Sequence, residues 1–377
     1  MEKNVQRSAT GVASQASTHQ LESKTQFTKY HSRGGHGFAA EDANAMYDRW
    51  HGRRVEMCGR DNSLNGADRI VDGVKYQTKY CQNANSSFSS AFDSSTGQYR
   101  YSGMKLEVPS DQYAEVVSKM REAISQGKVP GVTDPNQANQ IVAKGHYTYA
   151  QARNISKAGN WDSLKFDMQT QAVAVAFAGG IAGGISFIIA LHRGATYAEA
   201  LTEAAKTGGK AGAVAMVGGV ASQQFLKTTL GRNCAAFATK AIKPGVKAAM
   251  KSEVGKKVLT KTASVIAGKQ VAGAAATNVL TKALRTNAVT GAVMFVATSV
   301  PDVVKVCRGK LSVAEAAENA ACNASGIGGG CAGASAGAAV GTMIFPGVGT
   351  VAGGIIGGIA GGIASSAAMK KIISFFK

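Results

Sequence analysis

The stretch Gly66-Ala67-Asp68-Arg69-Ile70-Val71-Asp72-Gly73-Val74-Lys75-Tyr76-Gln77-Thr78-Lys79 decides how the first part of this chain folds. Asp72-Gly73 offers two residues that tolerate positive φ, and short runs of β-branched and aromatic residues flank it. That is the signature of two antiparallel strands joined by a two-residue turn. The turn sets the register: Val71 faces Val74, Ile70 faces Lys75, Arg69 faces Tyr76 and Asp68 faces Gln77. Opposed residues share a sheet face, and Lys79 joins Gln77 by the period of two. A carboxylate, an amide oxygen and an ammonium therefore converge on one patch. The first two can hold a divalent cation, and the lysine can position water or steady a phosphate.

Outward from the hairpin, Gly37 to Trp50 reads as a helix and Leu106 to Pro109 as a further short strand. Residues 27–109 thus form an α/β domain. Glu41 on the helix, Gly66-Ala67-Asp68, the hairpin and Gln77-Thr78-Lys79 together resemble the PD-(D/E)XK nuclease superfamily, in the Mrr-type restriction endonuclease branch with its Q-x-K motif. The resemblance covers about residues 37–80 and implies a restriction-endonuclease-like fold. It assigns Asp68 as metal carboxylate, Gln77 as second metal-side group, Lys79 as catalytic lysine and Glu41 as the acid orienting a metal-bound water. Mg²⁺ or Mn²⁺ would be the cofactor, and DNA or RNA the substrate. No proline precedes Asp68, and an amide stands where an acid is commoner. The same residues also read as a charged strand pair on a solvated sheet face, or as a catalytically dead, nucleic-acid-binding version of the fold. His31, His36 and His51 have no zinc spacing, and Gly34-Gly35-His36-Gly37 follows no convincing strand.

Residues 110–168 read as a helical connector. Ser110 can cap a first helix, Pro135 suits the start of a second that stops at Gly145, and Thr148 with Gln151 makes a capping box for a third ending at Gly159. Two helices around Gly145-His146 could be a DNA-binding helix-turn-helix; a connecting bundle is the plainer account.

Beyond that point the composition changes. Ala172 to Leu191 is twenty consecutive uncharged residues with Ser186 as the sole polar side chain. That length suits a transmembrane helix, with a buried helix as the alternative. Between Arg193 and Leu311 there are 18 Lys and Arg against 4 Asp and Glu, a local excess of +14 within a total of +19. This basic, Ala/Gly-rich helical region (169–311) suits anionic lipid or nucleic acid.

Residues 312–377 carry the sharpest pattern. No charge occurs from Asn319 to Met369, a run of 51 residues in a chain with 46 glycines. Gly333, Gly337 and Gly341 repeat every fourth residue. After Pro346-Gly347 come Gly349, Gly353, Gly357 and Gly361, with Gly354, Gly358 and Gly362 alongside. Residues four apart share a helix face, so each row is a groove without side chains. In water each interior glycine costs about 0.5–1 kcal/mol relative to alanine, whereas in lipid the helix persists and the groove admits a neighbour. The segment from about Gly326 to Gly362 resembles the glycine-zipper hairpins of bacterial membrane proteins and small bacteriocins. Lys370, Lys371 and Lys377 are placed to hold its end at a headgroup surface.

Met1 to Gln26 is polar, lacks a charged-then-apolar signal pattern and reads as a disordered lead-in. The six cysteines show no CxxC or Cys/His spacing and read as reduced thiols. The resulting expectation is an α/β domain on the cytoplasmic side of a bacterial inner membrane, followed by an all-α, membrane-associated region able to self-associate. Three functions fit: a membrane-tethered, metal-dependent nuclease serving in defence or as a toxin, a membrane-inserting or pore-forming protein whose N-terminal domain binds or senses, or a non-enzymatic scaffold.

Overall fold

The computed structural model describes residues 30–32, 34–58, 66–267 and 270–344, together with residues 361, 364, 365, 368, 369 and 371. The lead-in 1–26 and the glycines Gly349, Gly353, Gly354, Gly357, Gly358 and Gly362 lie outside these. The chain divides into two compact units, Lys24–Phe166 and Asp167–Lys377.

In the first unit α1 (Gly35–Trp50) precedes β1 (Val55–Met57), β2 (Arg69–Val71) and β3 (Val74–Thr78). Then come α2 (Ala84–Ser89), β4 (Lys105–Val108), α3 (Tyr113–Ser125), a 3₁₀ turn (Pro135–Gln137), α4 (Ala138–Ile141), β5 (Val142–Lys144) and α5 (Tyr149–Ile155). The five strands lie in sequence order. β1, β2 and β3 are antiparallel, while β3–β4 and β4–β5 are parallel. The β2–β3 register is the expected one, Arg69 to Tyr76, Ile70 to Lys75 and Val71 to Val74. The reason is local: Asp72 (φ 49°) and Gly73 (φ 83°) both adopt the left-handed conformation that this turn demands.

Helices lie on both faces, α3 from the β4–β5 crossover on one and α1, which precedes the sheet, on the other. Leu106 and Val108 pack with Val116, Met120 and Ile124 of α3 and with Val142 in one apolar cluster. On the other side α1 turns Ala39 and Ala43 toward Ile155 and Phe166. Residues 138–144 differ from expectation. Instead of a helix to Gly145, the segment turns into β5, whose Val142 registers with Leu106. Pairing with a buried parallel neighbour overrides weak helical propensity here, and it removes the helix-turn-helix reading. Residues 110–166 are thus part of the sheet-bearing unit. Ser110 caps nothing, since α3 starts after Gln112, but the Thr148/Gln151 capping box is present. Gly145 is required by close approach, because a Cβ there would strike the Tyr80 hydroxyl and the Val108 carbonyl.

The second unit is helical: α6 (Trp161–His192, which begins in the first unit), α7 (Tyr197–Leu226), α8 (Thr229–Ala249), α9 (Glu253–Ala267), α10 (Gly273–Cys307) and α11 (Val313–Ile344). The stretch 172–191 is the interior of α6. Among the described residues no helix is long and apolar enough to cross a membrane. The transmembrane helix expected at 172–191 is corrected accordingly. It is one arm of a helical hairpin in which Gly179 meets Gly208, Gly183 meets Ala204, and Ser186 and Thr207 share a hydrogen bond of 3.1 Å. At its base the fully buried Lys227 donates to Asp167 at 2.6 Å, and Gln224 donates to the other carboxylate oxygen. Small residues and polar pairs, rather than apolar bulk, fill this contact.

Candidate functional site

At the end of the β2–β3 hairpin the regular pairing stops at Arg69–Tyr76. Asp68 donates its backbone N–H to the Tyr76 carbonyl at 2.9 Å. Its side chain nevertheless meets the expected neighbour: Asp68 Oδ2 accepts from Gln77 Nε2 and from the Thr78 backbone N–H, each at 2.7 Å. Burial pushes the Asp68 carboxyl up, against the pull of the Thr78 N–H and the charges of Lys79 and Arg69. Gln77 is 5% exposed, and its Oε1 has no hydrogen-bond partner. Lys79 holds its ammonium over the Tyr101 ring, 5.4 Å from the centroid.

Glu41 lies apart from this group, buried on α1. Alternation explains this. Thr78 registers with Glu107 and shares the face that α1 covers, whereas Gln77 registers with Leu106 on the α3 face. The local pattern placed three residues together, but the face taken by α1 depends on the whole chain.

Sequence reasoning missed the charged centre on the α1 side. Arg69, 1% exposed, donates to both carboxylate oxygens of Glu107 at 2.5 Å each, to Asp48 at 3.2 Å and to Thr78 Oγ1 at 3.2 Å. Asp48 also meets Arg53 at 3.1 Å and His146 at 3.3 Å. Burial raises the Asp48 carboxyl, but the His146 hydrogen bond and the charges of Arg69 and Arg53 outweigh it and hold the group below its ordinary value. One turn earlier, Asn44 donates to the Tyr80 hydroxyl and accepts from the His146 backbone N–H. Ala40, Asn44 and Asp48 thus form a stripe joining α1 to the sheet and to the 145–147 loop. The one signal for it was Arg69 itself, a charge in phase with the inward-facing Val71. His51 and His146 stack on opposite sides of Tyr47, at 4.0 and 3.7 Å, away from any metal arrangement.

Asp68 and Gln77 bring two oxygen-bearing groups together, with the Gln77 amide nitrogen rather than its oxygen turned to the carboxylate. Among the described residues no group of three His, Cys, Asp or Glu is placed to hold a metal.

In the second unit Gly361 lies against Gly329 and Gly333. A Cβ on Gly361 would fall on the Gly329 carbonyl, and one on Gly329 would strike Ser365. Ser325 Oγ donates to the Ser365 carbonyl at 2.8 Å. The two ends of the zipper segment therefore meet backbone to backbone.

Comparison with known proteins divides along the same line. Residues 17–125 match the YeeR C-terminal domain, and residues 312–368 match a C13G5.2-like glycine zipper domain. Over 99 residues the chain is 52% identical to Inner membrane protein YeeR of Escherichia coli (strain K12). That match takes in 25% of this chain and 19% of the length of the relative. No solved structure matches. The chain carries a glycine zipper, and the family matched over its α/β unit is not a PD-(D/E)XK nuclease family.

Proposed function

We propose that this chain is a membrane-associated protein of the bacterial inner membrane that inserts its glycine-zipper segment and self-associates or permeabilises there, with the α/β unit as a non-catalytic binding or sensing module on the cytoplasmic side. The contact of Gly361 with Gly329 and Gly333 carries this reading. Two backbones so close leave no room for side chains, an arrangement that lipid favours and water does not. The YeeR relative, an inner membrane protein by name, supports the location. The test is flotation of the full chain with dye-loaded vesicles. Co-flotation with dye release is the expected result; protein that stays soluble, with residues 312–368 open to protease, overturns the reading.

A second reading is favoured by one observation, the orphaned Gln77 oxygen beside a carboxyl raised by burial. On this reading Asp68 and Gln77 would hold Mg²⁺ or Mn²⁺, which would polarise a phosphodiester, and Lys79 would steady its charge. The protein would then act on DNA or RNA in defence or as a toxin. Metal-dependent nicking of nucleic acid by the full chain, lost in Asp68→Ala and in Lys79→Ala, supports it. The absence of any cleavage leaves the binding-module reading alone.

A further inference from the structure

We infer that α8 is a membrane-surface helix whose outward face lies in the headgroup layer of an anionic bilayer. The inference rests on the membrane reading above and names where, and by what lipid chemistry, the second unit meets the surface. One face of α8 is already used. Ala235 packs with Leu226 and Val289, and Val246 packs with Ala263, Ala276 and Leu280. On the opposite side Leu230, Cys234, Phe237 and Ala241 follow the spacing of one helix face, and all four are exposed. Leu230 is 63% exposed and Phe237 75%. In a helix with a committed inner face, a second apolar stripe facing outward needs a cover.

Charge identifies the cover. α8 contains Arg232, Lys240, Lys243 and Lys247 and no acidic residue, and no Asp or Glu occurs anywhere from residue 204 to 252. Arg232, Lys240 and Lys247 are exposed. At 100° per residue the three lysines lie together on one flank of the Leu230–Phe237 stripe, between it and the buried face. An apolar stripe beside a cationic flank fits the boundary of an anionic leaflet, with the rings and aliphatic chains below and the ammonium groups at phosphate level. A second copy of the chain would bring the same positive charge to the contact and be repelled. A nucleic acid would satisfy the lysines but leave Leu230 and Phe237 in water.

The experiment uses Phe237→Trp in the full chain, with the unsubstituted chain subtracted. The protein is reconstituted in vesicles of phosphatidylcholine alone or of an equal mixture with phosphatidylglycerol, containing lipids brominated either near the headgroup or near the chain end. Quenching by the headgroup-proximal bromines in the anionic vesicles is expected, and each of Lys240→Gln, Lys243→Gln and Lys247→Gln should weaken it about fivefold, the worth of one cation at such a surface. Leu230→Trp reports the same face independently. If the protein floats with the vesicles but neither tryptophan is quenched, the inference fails while the membrane reading stands. Quenching only by chain-end bromines, in both lipids alike, also overturns it, because the helix would then be buried deep. Failure to float at all ends both.

Discussion

Gln77 Nε2 donates to Asp68 Oδ2 at 2.7 Å, while Gln77 Oε1 is left buried with no partner. An amide spent half on a carboxylate and half on nothing is a poor arrangement for stability. It leaves an acceptor beside a carboxyl that burial already pushes up. Residues held this way are candidates for function rather than folding.

Asp68→Asn should therefore raise stability at pH 7, or leave it level, by up to about 1 kcal/mol. The sign with pH follows from the raised carboxyl. The ionised form is the one that burial penalises, so wild-type stability recovers as pH falls through the folded-state value. The advantage of Asp68→Asn should shrink over the same range and vanish near the unfolded value of about 3.9. Urea denaturation of both proteins between pH 4 and 7 is the measurement, and a large loss for Asp68→Asn at pH 7 would contradict it.

Arg69 and Glu107 behave oppositely. Glu107→Ala leaves a fully buried guanidinium with Asp48 as its remaining acidic hydrogen-bond partner, which should cost about 3–5 kcal/mol. Arg69→Met with Glu107→Leu should recover much of that loss, since a buried pair replaced by apolar groups is often neutral. Thermal unfolding of the single and double variants decides the matter.

Asp48 contributes to the acid sensitivity of the first unit. Its carboxyl is held below the ordinary range by His146, Arg69 and Arg53 despite the opposing effect of burial. Its stabilising contribution is thus complete above the unfolded value of about 3.9 and is lost as pH falls through the lower folded value. Relative to wild type, Asp48→Asn should show a constant deficit from pH 5 to 8 that closes only below about pH 4. A deficit that changes between pH 6 and 8 would point to another group.

Gly361→Leu places a branched side chain on the Gly329 carbonyl, while making the segment more apolar. Membrane retention should be unchanged or stronger, but disulfide cross-linking between cysteines introduced at Ser325 and Ser365 should fall several-fold. Gly328→Leu is the control: the site is open, and cross-linking should persist. Equal loss in both would remove the close contact from the account.

Much of this protein was legible locally. The turn at Asp72-Gly73 carries its own φ preferences, so the β2–β3 register and the Asp68–Gln77 encounter could be read from fourteen consecutive residues. The Thr148/Gln151 cap spans a single turn, and the glycine rows announce close packing through their spacing alone. Residue periodicity, however, says which positions share a face and never what covers that face. That α1 lies on the Arg69 side, away from Gln77, separates Glu41 from the group it was assigned to. Arg69 finds Glu107 38 residues further along the chain, two strands away in the sheet, and residues 142–144 become a strand because an edge beside β4 was available. The apolar length of 172–191 measured hydrophobicity, but only the tertiary structure set Gly179 and Gly183 against Gly208 and Ala204 and made that stretch one arm of a hairpin. Local rules act through neighbours within a turn or a strand, and partners distant in the chain are chosen by the fold as a whole.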